Sequence, residues 1–360
     1  MNQTNTFLAR LLSQGNRSLA AYAANELLAA YPEAKAGFGP DPLSGWQNWL
    51  ASRLDELAAA VAVEQPAIFT AQVQWAKAVL AARGFSTEYY RASLQSLGDV
   101  LSRELPENAH PLAAEYLAKA LAAFDGEAAE LTSQLPPDSP EGRLAAEYLL
   151  AVLEGDRRRA SRLILDAVDR GQSVRDLYLR VLLPAQQEVG RMWLVGEINI
   201  AEEHFASATT KMVIAQLLRR AKFAPPNGKT MLAAAVAGNQ HDIGLQAVAN
   251  FFEMDGWRTI QLGANVPIGD LVQAVECFEA DLLGLSASQA TQFETLRTTI
   301  AEVRRCERGD QVKVLVGGFA FGSTAGMSEQ LGADGLGADP IDAVQQGRQL
   351  VGLDVDNRTG

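Results

Sequence analysis

Imidazole is the side chain most often given to metals and to proton transfer near neutral pH, and this chain of 360 residues has three: His110, His204 and His241. His241 lies in the stretch from Met231 to Gly244, MLAAAVAGNQHDIG. There an apolar strand-like run breaks at Gly238 into a short polar loop and then enters an amphipathic segment. A loop just past the carboxyl end of a strand is where open α/β sheets bind their ligands. The residue reads either as a ligand-binding, metal-capable imidazole or as a solvated loop histidine. His204 directly follows Glu203, which puts a carboxylate and an imidazole side by side, and His110 sits in a proline-flanked turn. The sequence has no glycine-rich phosphate loop, nucleophile elbow or His-Glu-x-x-His pair. Glu202 and Glu203 are adjacent on a helical segment and point away from one another, so they do not form an acid–base pair. The expectation is a binding protein and not an enzyme.

The elements that must position these residues follow from apolar periodicity. From Phe7 to about Phe124, five segments repeat apolar residues at helical spacing: LARLLSQ, SLAAYAANELLAAY, WLASRLDELAAAVAV, FTAQVQWAKAVLAAR and YRASLQSLGDVLSREL. Breaks at 37–45, Gln65-Pro66, Gly84 and Pro106 to Pro111 divide them, so residues 1–135 are expected to form an all-helical domain of five or six helices. A proline cluster from Pro136 to Pro140 reads as a linker. Residues 141–223 then hold helices at 141–153, 156–170, 173–191 and 200–222, with Asp156 and Ser173 as N-caps and Gly155 and Gly171 as stops. Four such helices with short turns predict a bundle. After APPNGK at 224–229 the texture changes, with strands expected at 230–237, 258–262, 281–286, 312–316 and 334–336. Helices are expected at 243–254, 268–279, 292–305, 324–331 and 340–351. Strand then helix, five times over, predicts a parallel doubly wound, Rossmann-like domain at 229–355. The fold class is α plus α/β.

A net charge of −12 argues against direct binding to nucleic acid or to membrane surfaces, which are anionic themselves. Cys277 and Cys306 have no zinc or redox spacing, and together with the lack of a signal-like or membrane-spanning run they predict a reduced, cytoplasmic chain.

The loop Asn239-Gln240-His241-Asp242-Ile243-Gly244 resembles the Asp-x-His-x-x-Gly signature of cobalamin-binding domains. The resemblance implies that His241 is the lower axial ligand of cobalt, replacing the cofactor's own benzimidazole, with Asp242 and Gly244 completing the loop. A residue two before the histidine then accepts its other ring N–H. Here that residue is Asn239 where the family has Asp, so His241 is expected to be a weaker donor to cobalt. Two further stretches fall in family order. Ser286 and Ser288 stand against the usual Ser-x-Leu, with Ser286 implied to bond the benzimidazole, and Gly317-Gly318 match the family's Gly-Gly, which leaves room for the nucleotide tail.

Trp193 is followed after nine residues by Glu203-His204, which resembles the Trp-x9-Glu-His arrangement of the CarH-type photoreceptor family. The resemblance covers 141 to about 351. It implies that the bundle caps adenosylcobalamin, with Trp193 on the adenosyl group and Glu203 and His204 addressing it by polar contacts. Two departures stand out. Leu194 occupies the place where the best-known members carry a histidine that takes the upper cobalt position after photolysis, leaving His204 or water for that role. The family's DNA-reading winged helix is missing. A helical module ahead of a capped cobalamin domain looks like the photocobilins, whose extra module, here the size of a globin-like sensor domain, holds biliverdin. With no cysteine before Cys277, a bilin here would be held noncovalently, with Arg83, Arg91 and Arg103 meeting propionates and Tyr89 or Tyr90 a pyrrole. A plain helical dimerisation domain with a normal aromatic core fits the same residues. The implied function is a light sensor whose photolysis changes domain packing or oligomeric state, working as a homo-oligomer (dimer or tetramer) on a downstream signalling protein. The alternative is a corrinoid methyl carrier of a methyltransferase system.

Overall fold

The computed structural model describes residues 3–38, 40–126, 131–136, 138–322 and 326–353. Contacts divide the chain into two units, Met1–Leu131 and Thr132–Gly360.

In the first unit the Ala/Leu periodicity becomes five α-helices: α1 (Gln3–Ala30), α2 (Pro42–Ala62), α3 (Pro66–Ala82), α4 (Thr87–Glu104) and α5 (His110–Phe124). Pro42 and Pro66 open their helices, where a missing N–H costs nothing. α1 packs on α2, and both bury small residues, Ala20, Ala23 and Ala24 on one and Ala58, Ala60 and Ala62 on the other, which lets the two backbones approach. The aromatic residues of the middle segments build the core. Phe38 lies 4.8 Å from Trp46 and 5.7 Å from Phe85, and Trp49 meets Tyr90 edge-on at 5.4 Å. Trp46 donates its indole N–H to the Ala34 carbonyl at 3.0 Å. Arg53 and Glu56 form an ion pair inside this core, with the guanidinium 4.5 Å over the Trp49 ring.

The second unit begins with helices α6 (Pro140–Leu153) and α7 (Arg157–Asp169). Of the linker prolines, Pro137 lies outside the described residues. Asp156 and Ser173 cap as expected, their side chains accepting the backbone N–H of Arg159 and Asp176. The helix expected at 173–191 is a composite: α8 (Val174–Leu177), a π-helical turn (Tyr178–Leu182) and α9 (Leu183–Val195). Pro184 has no N–H to give, so the ladder widens just before it instead of continuing in α register. The turn's Tyr178 is fully buried, accepts a 2.7 Å bond from the Asn250 side chain and donates to the Ile214 carbonyl. α10 (Ile200–Leu218) ends four residues before the expected 222.

The remaining chain is a five-stranded parallel sheet in the order β2-β1-β3-β4-β5. Its strands are β1 (Thr230–Val236), β2 (Arg258–Val266), β3 (Leu282–Ser286), β4 (Lys313–Gly317) and β5 (Gly335–Gly337). The helices between and after them are α11 (Ile243–Met254), α12 (Ile268–Cys277), α13 (Phe293–Arg305), α14 (Met327–Gln330) and α15 (Pro340–Leu350). The helix expected at 324–331 falls partly outside the described residues and is otherwise α14. β1 and β3 are buried throughout, the apolar run of an interior parallel strand. β2 runs four residues past the expected 262, because register shifts against β1 let it continue through Gly263. The helical layer and the sheet share one core, in which Tyr178, Val181 and Ile214 pack with Phe251 and Phe252 of α11. Among the described residues no helix is long and apolar enough to cross a membrane.

Candidate functional site

The carboxyl ends of β1, β3 and β4 lie side by side, with Ala235 against Ser286 and Ser286 against Gly317. The loops leaving them therefore converge. His241 is exposed on the loop between β1 and α11. Asn239 is fully buried beneath it and spends both ends of its amide on backbone: Oδ1 accepts the His241 backbone N–H at 3.0 Å, and Nδ2 donates to the Ser286 carbonyl at 3.0 Å. The expected bond from the His241 ring to this side chain is not made here. An aspartate could not donate to Ser286, which gives the asparagine a job of its own as the pin between the first and third loops.

Three residues the sequence reading passed over complete this framework. Asn265, at positive φ near the end of β2, accepts the Gly238 N–H at 2.7 Å and donates its own N–H to the Asn239 carbonyl. Gln292 accepts the N–H groups of Ser288 and Gln289 and donates to the Gly238 carbonyl. Ser288 thus takes part through its backbone. Lys211, on α10, reaches the loop through Asp242. An amide on each neighbouring loop was the available signal, but amides at such distances in sequence carry no periodicity.

The glycines define the space. A Cβ on Gly318 would stand 2.3 Å from the Ala287 carbonyl oxygen and 3.0 Å from Ser286 Oγ, and one on Gly317 would stand 2.8 Å from the Gly337 carbonyl oxygen. Both positions exclude a side chain. A Cβ on Gly244 would meet nothing within 4 Å, so the mouth beside His241 is open. An exposed imidazole at His241 and a serine hydroxyl at Ser286 beside the bare backbone of Gly317 and Gly318 thus line one open mouth at the strand ends.

Trp193, Glu203 and His204 stand on either side of a rigid turn. Gly196 closes α9 in the left-handed region, and Asn199 opens α10 with a capping box to Glu202. Arg191 spans the turn, gripping Glu197 with both terminal nitrogens and bonding Glu188 as well. The bonds to Glu197 and then Glu188 raise its guanidinium above the ordinary arginine range. Trp193 is 38% exposed, and His204 Nδ1 sits 2.6 Å from Glu203 Oε2.

The two groups of residues are joined by one ion pair: Lys211 on α10 reaches Asp242, next to His241, at 2.6 Å. Lys211→Met keeps the apolar stem and removes the charge. A partly exposed pair is worth at most ~1 kcal/mol, so global stability should hold while amide exchange in the 238–242 loop speeds up roughly fivefold. Unchanged exchange there would show that the pair does not hold the loop.

The bilin arginines of the sequence reading have local partners. Arg91 bonds Asp125, and Arg103 bonds Glu26 and Glu104. Tyr90 is buried, its ionisation pushed up by burial.

The helical layer thus lies on an open parallel sheet, with an imidazole loop and a glycine cradle at the strand ends. Residues 229–345 and residues 144–218 each match a family model described as B12 binding domain. These domains indicate a cobalamin or corrinoid cofactor. A corrinoid protein of Desulfitobacterium hafniense is 27% identical over 214 residues, covering 58% of this chain and 98% of that protein. The HTH-type transcriptional repressor CarH of Myxococcus xanthus is 30% identical over 196 residues, covering 53% of this chain and 63% of CarH. Among solved structures, the monomethylamine corrinoid protein of Methanosarcina barkeri aligns with a TM-score of 0.49 at 19% identity, covering 58% of this chain and 98% of that one.

Proposed function

We propose that the protein is a light sensor that holds adenosylcobalamin between the helical layer and the sheet, with no catalysis of its own. The observation that carries this reading is the upper group: an exposed tryptophan at the end of α9, fixed by the Arg191 fork, beside a Glu203–His204 pair at the start of α10. An aromatic face next to polar groups suits a nucleoside better than it suits a methyl group. The cofactor supplies a cobalt–carbon bond that light breaks. The chain's own residues bind and read it. His241 holds the lower face, Trp193 covers the adenosyl group, and loss of that group removes the contact between them. The Lys211–Asp242 link then has a different load to hold, and the helical layer shifts in a homo-oligomer, dimer or tetramer, that signals to a downstream protein. Trp193→Ala should cut the preference for adenosylcobalamin over methylcobalamin by about tenfold, the order expected for one lost aromatic contact. An unchanged preference in a dark binding titration would reject the reading.

In the same proposal the first unit, a globin-like module, holds a noncovalent biliverdin. Supporting it is Trp49, whose indole N–H is buried with no acceptor among the described residues, in the middle of the aromatic core. The arginines at 91 and 103 would have to leave their carboxylate partners to serve propionates. A red-absorbing band in protein supplied with biliverdin decides this part.

A second reading, a methyl-carrying corrinoid protein, is favoured by the near-complete coverage of the Desulfitobacterium relative. Cofactor extracted from dark-purified protein separates the two: an adenosyl group supports the sensor and a methyl group the carrier.

A further inference from the structure

We propose that Tyr178 is a positioning residue for the His241 loop: its hydroxyl acts through Asn250 and α11 to fix where that loop stands against α10. The hold is the same whichever ligand His241 meets.

The joint is a single phenol shared by three elements. The Tyr178 hydroxyl accepts from Asn250 Nδ2 on α11 at 2.7 Å and donates to the Ile214 carbonyl on α10 at 3.3 Å. Its ring meets Phe251, the next residue of α11, edge-on at 5.8 Å. Burial pushes the ionisation of the phenol up to about 12, so the hydroxyl keeps the proton that it donates. Asn250 is itself buried, between Ala249 and Phe251. An amide in such a core costs stability unless it is bonded, and an apolar residue of the same volume would fill the space without that cost. What the amide adds is direction, since its bond is made in one register of α11 against the helical layer and lost in the others. The π-helical turn serves the same joint. The Tyr178 carbonyl takes the N–H of Leu183, five residues on, in place of an α turn, and widened turns of this kind recur at functional sites.

α11 carries the hold to the loop. The Gln246 N–H bonds the Asp242 carbonyl at 2.8 Å, so the last residue of the loop is built into the first turn of α11. Lys211 on α10 bonds the Asp242 side chain. α10 therefore grips α11 at two places. The ties fall within one turn of each other on α10, at Lys211 and Ile214, and more than two turns apart on α11, at Asp242 and Asn250. Two helices held at points of unequal spacing can neither slide nor roll without breaking a tie. The Lys211 tie is partly exposed and weakened by solvent. The Tyr178 tie is buried and is the stronger of the two.

The test is amide hydrogen exchange on the full chain, read by mass spectrometry in peptides that cover 238–242. Tyr178→Phe keeps the ring and removes the hydroxyl, and it should speed exchange there about fivefold although the lost atom lies in the helical layer. Val181→Ala opens a cavity in the same π turn and controls for a general loss of stability. Tyr178→Phe/Asn250→Leu leaves no stranded amide. It should regain the wild-type urea midpoint and the wild-type exchange of β3 and β4 while the loop stays about fivefold faster. Recovery of loop protection together with the midpoint would assign the effect to the stranded amide and overturn the proposal. Unchanged exchange at 238–242 in Tyr178→Phe overturns it too, as does an equal acceleration there in Val181→Ala. The double variant carries the test even if Tyr178→Phe does not fold, because it strands no side-chain group of the pair.

Discussion

Gly318→Ala is expected to lower the stability of the second unit by about 2–5 kcal/mol and to abolish corrinoid retention, the sum of a strained backbone and an overpacked contact. Gly318 sits at φ 106°, ψ 172°, a region open essentially to glycine alone. The added methyl would also stand 2.3 Å from the Ala287 carbonyl oxygen. That carbonyl cannot step aside freely, because it accepts the Ala320 N–H while the Ala287 N–H is held by the Gly317 carbonyl. Relief would part the ends of β3 and β4 beside Ser286, the residue that the proposed function sets along the cofactor's tail. Urea unfolding followed by tryptophan fluorescence measures the first effect, and corrinoid absorbance after gel filtration measures the second. A variant with the wild-type midpoint would mean that the loop relaxes without resistance. Gly244→Ala supplies the contrast, since its Cβ meets nothing and lies in the first turn of α11. Its unfolding midpoint should not fall, so any loss of corrinoid there reports the ligand and not the fold.

What the sequence made legible was whatever is written in local spacing. Asp156 and Ser173 could be named as caps because a cap is an interaction over three residues. β1, β3 and β4 could be found because an interior parallel strand is a short apolar run between breaks. The misreadings have the opposite character. β2 continues past 262 because its neighbour shifts register, and the π turn at Tyr178–Leu182 answers a proline six residues further on from its first member. The site divides in the same way. His241, Ser286, Gly317 and Gly318 were visible as a loop and two strand ends in the right order. Asn265, Gln292 and Lys211, which fix that loop in space, act across 27, 54 and 31 residues. Asn239 shows the middle case: its position was legible, but its bonds go to backbone, so it anchors the loop and leaves the imidazole ring unpinned.

The first unit yields its largest effect at a charge. Arg53→Met is expected to destabilise it by about 3–5 kcal/mol, the cost of leaving one member of a buried ion pair alone. Arg53 is nearly inaccessible, bonds Glu56 through Nε at 2.6 Å and lies over Trp49. Burial works against its charge, and the Glu56 carboxylate together with Tyr90 more than restores it, so the guanidinium stays ionised. Burial pushes the Glu56 carboxyl up, and Arg53 alone holds it back. Methionine keeps the stem's packing against the indole but leaves that carboxyl in the core without its counter-ion. The double variant Arg53→Met/Glu56→Leu removes both charges at similar volume, and it should recover most of the loss, because an apolar pair of matching size commonly replaces a buried ion pair at little cost. Urea unfolding of the single and double variants measures the difference. Equal losses in both would assign the effect to lost packing on Trp49 and not to the stranded carboxylate. Recovery in the double variant would instead show that the pair adds nothing to stability over an apolar pair of the same size.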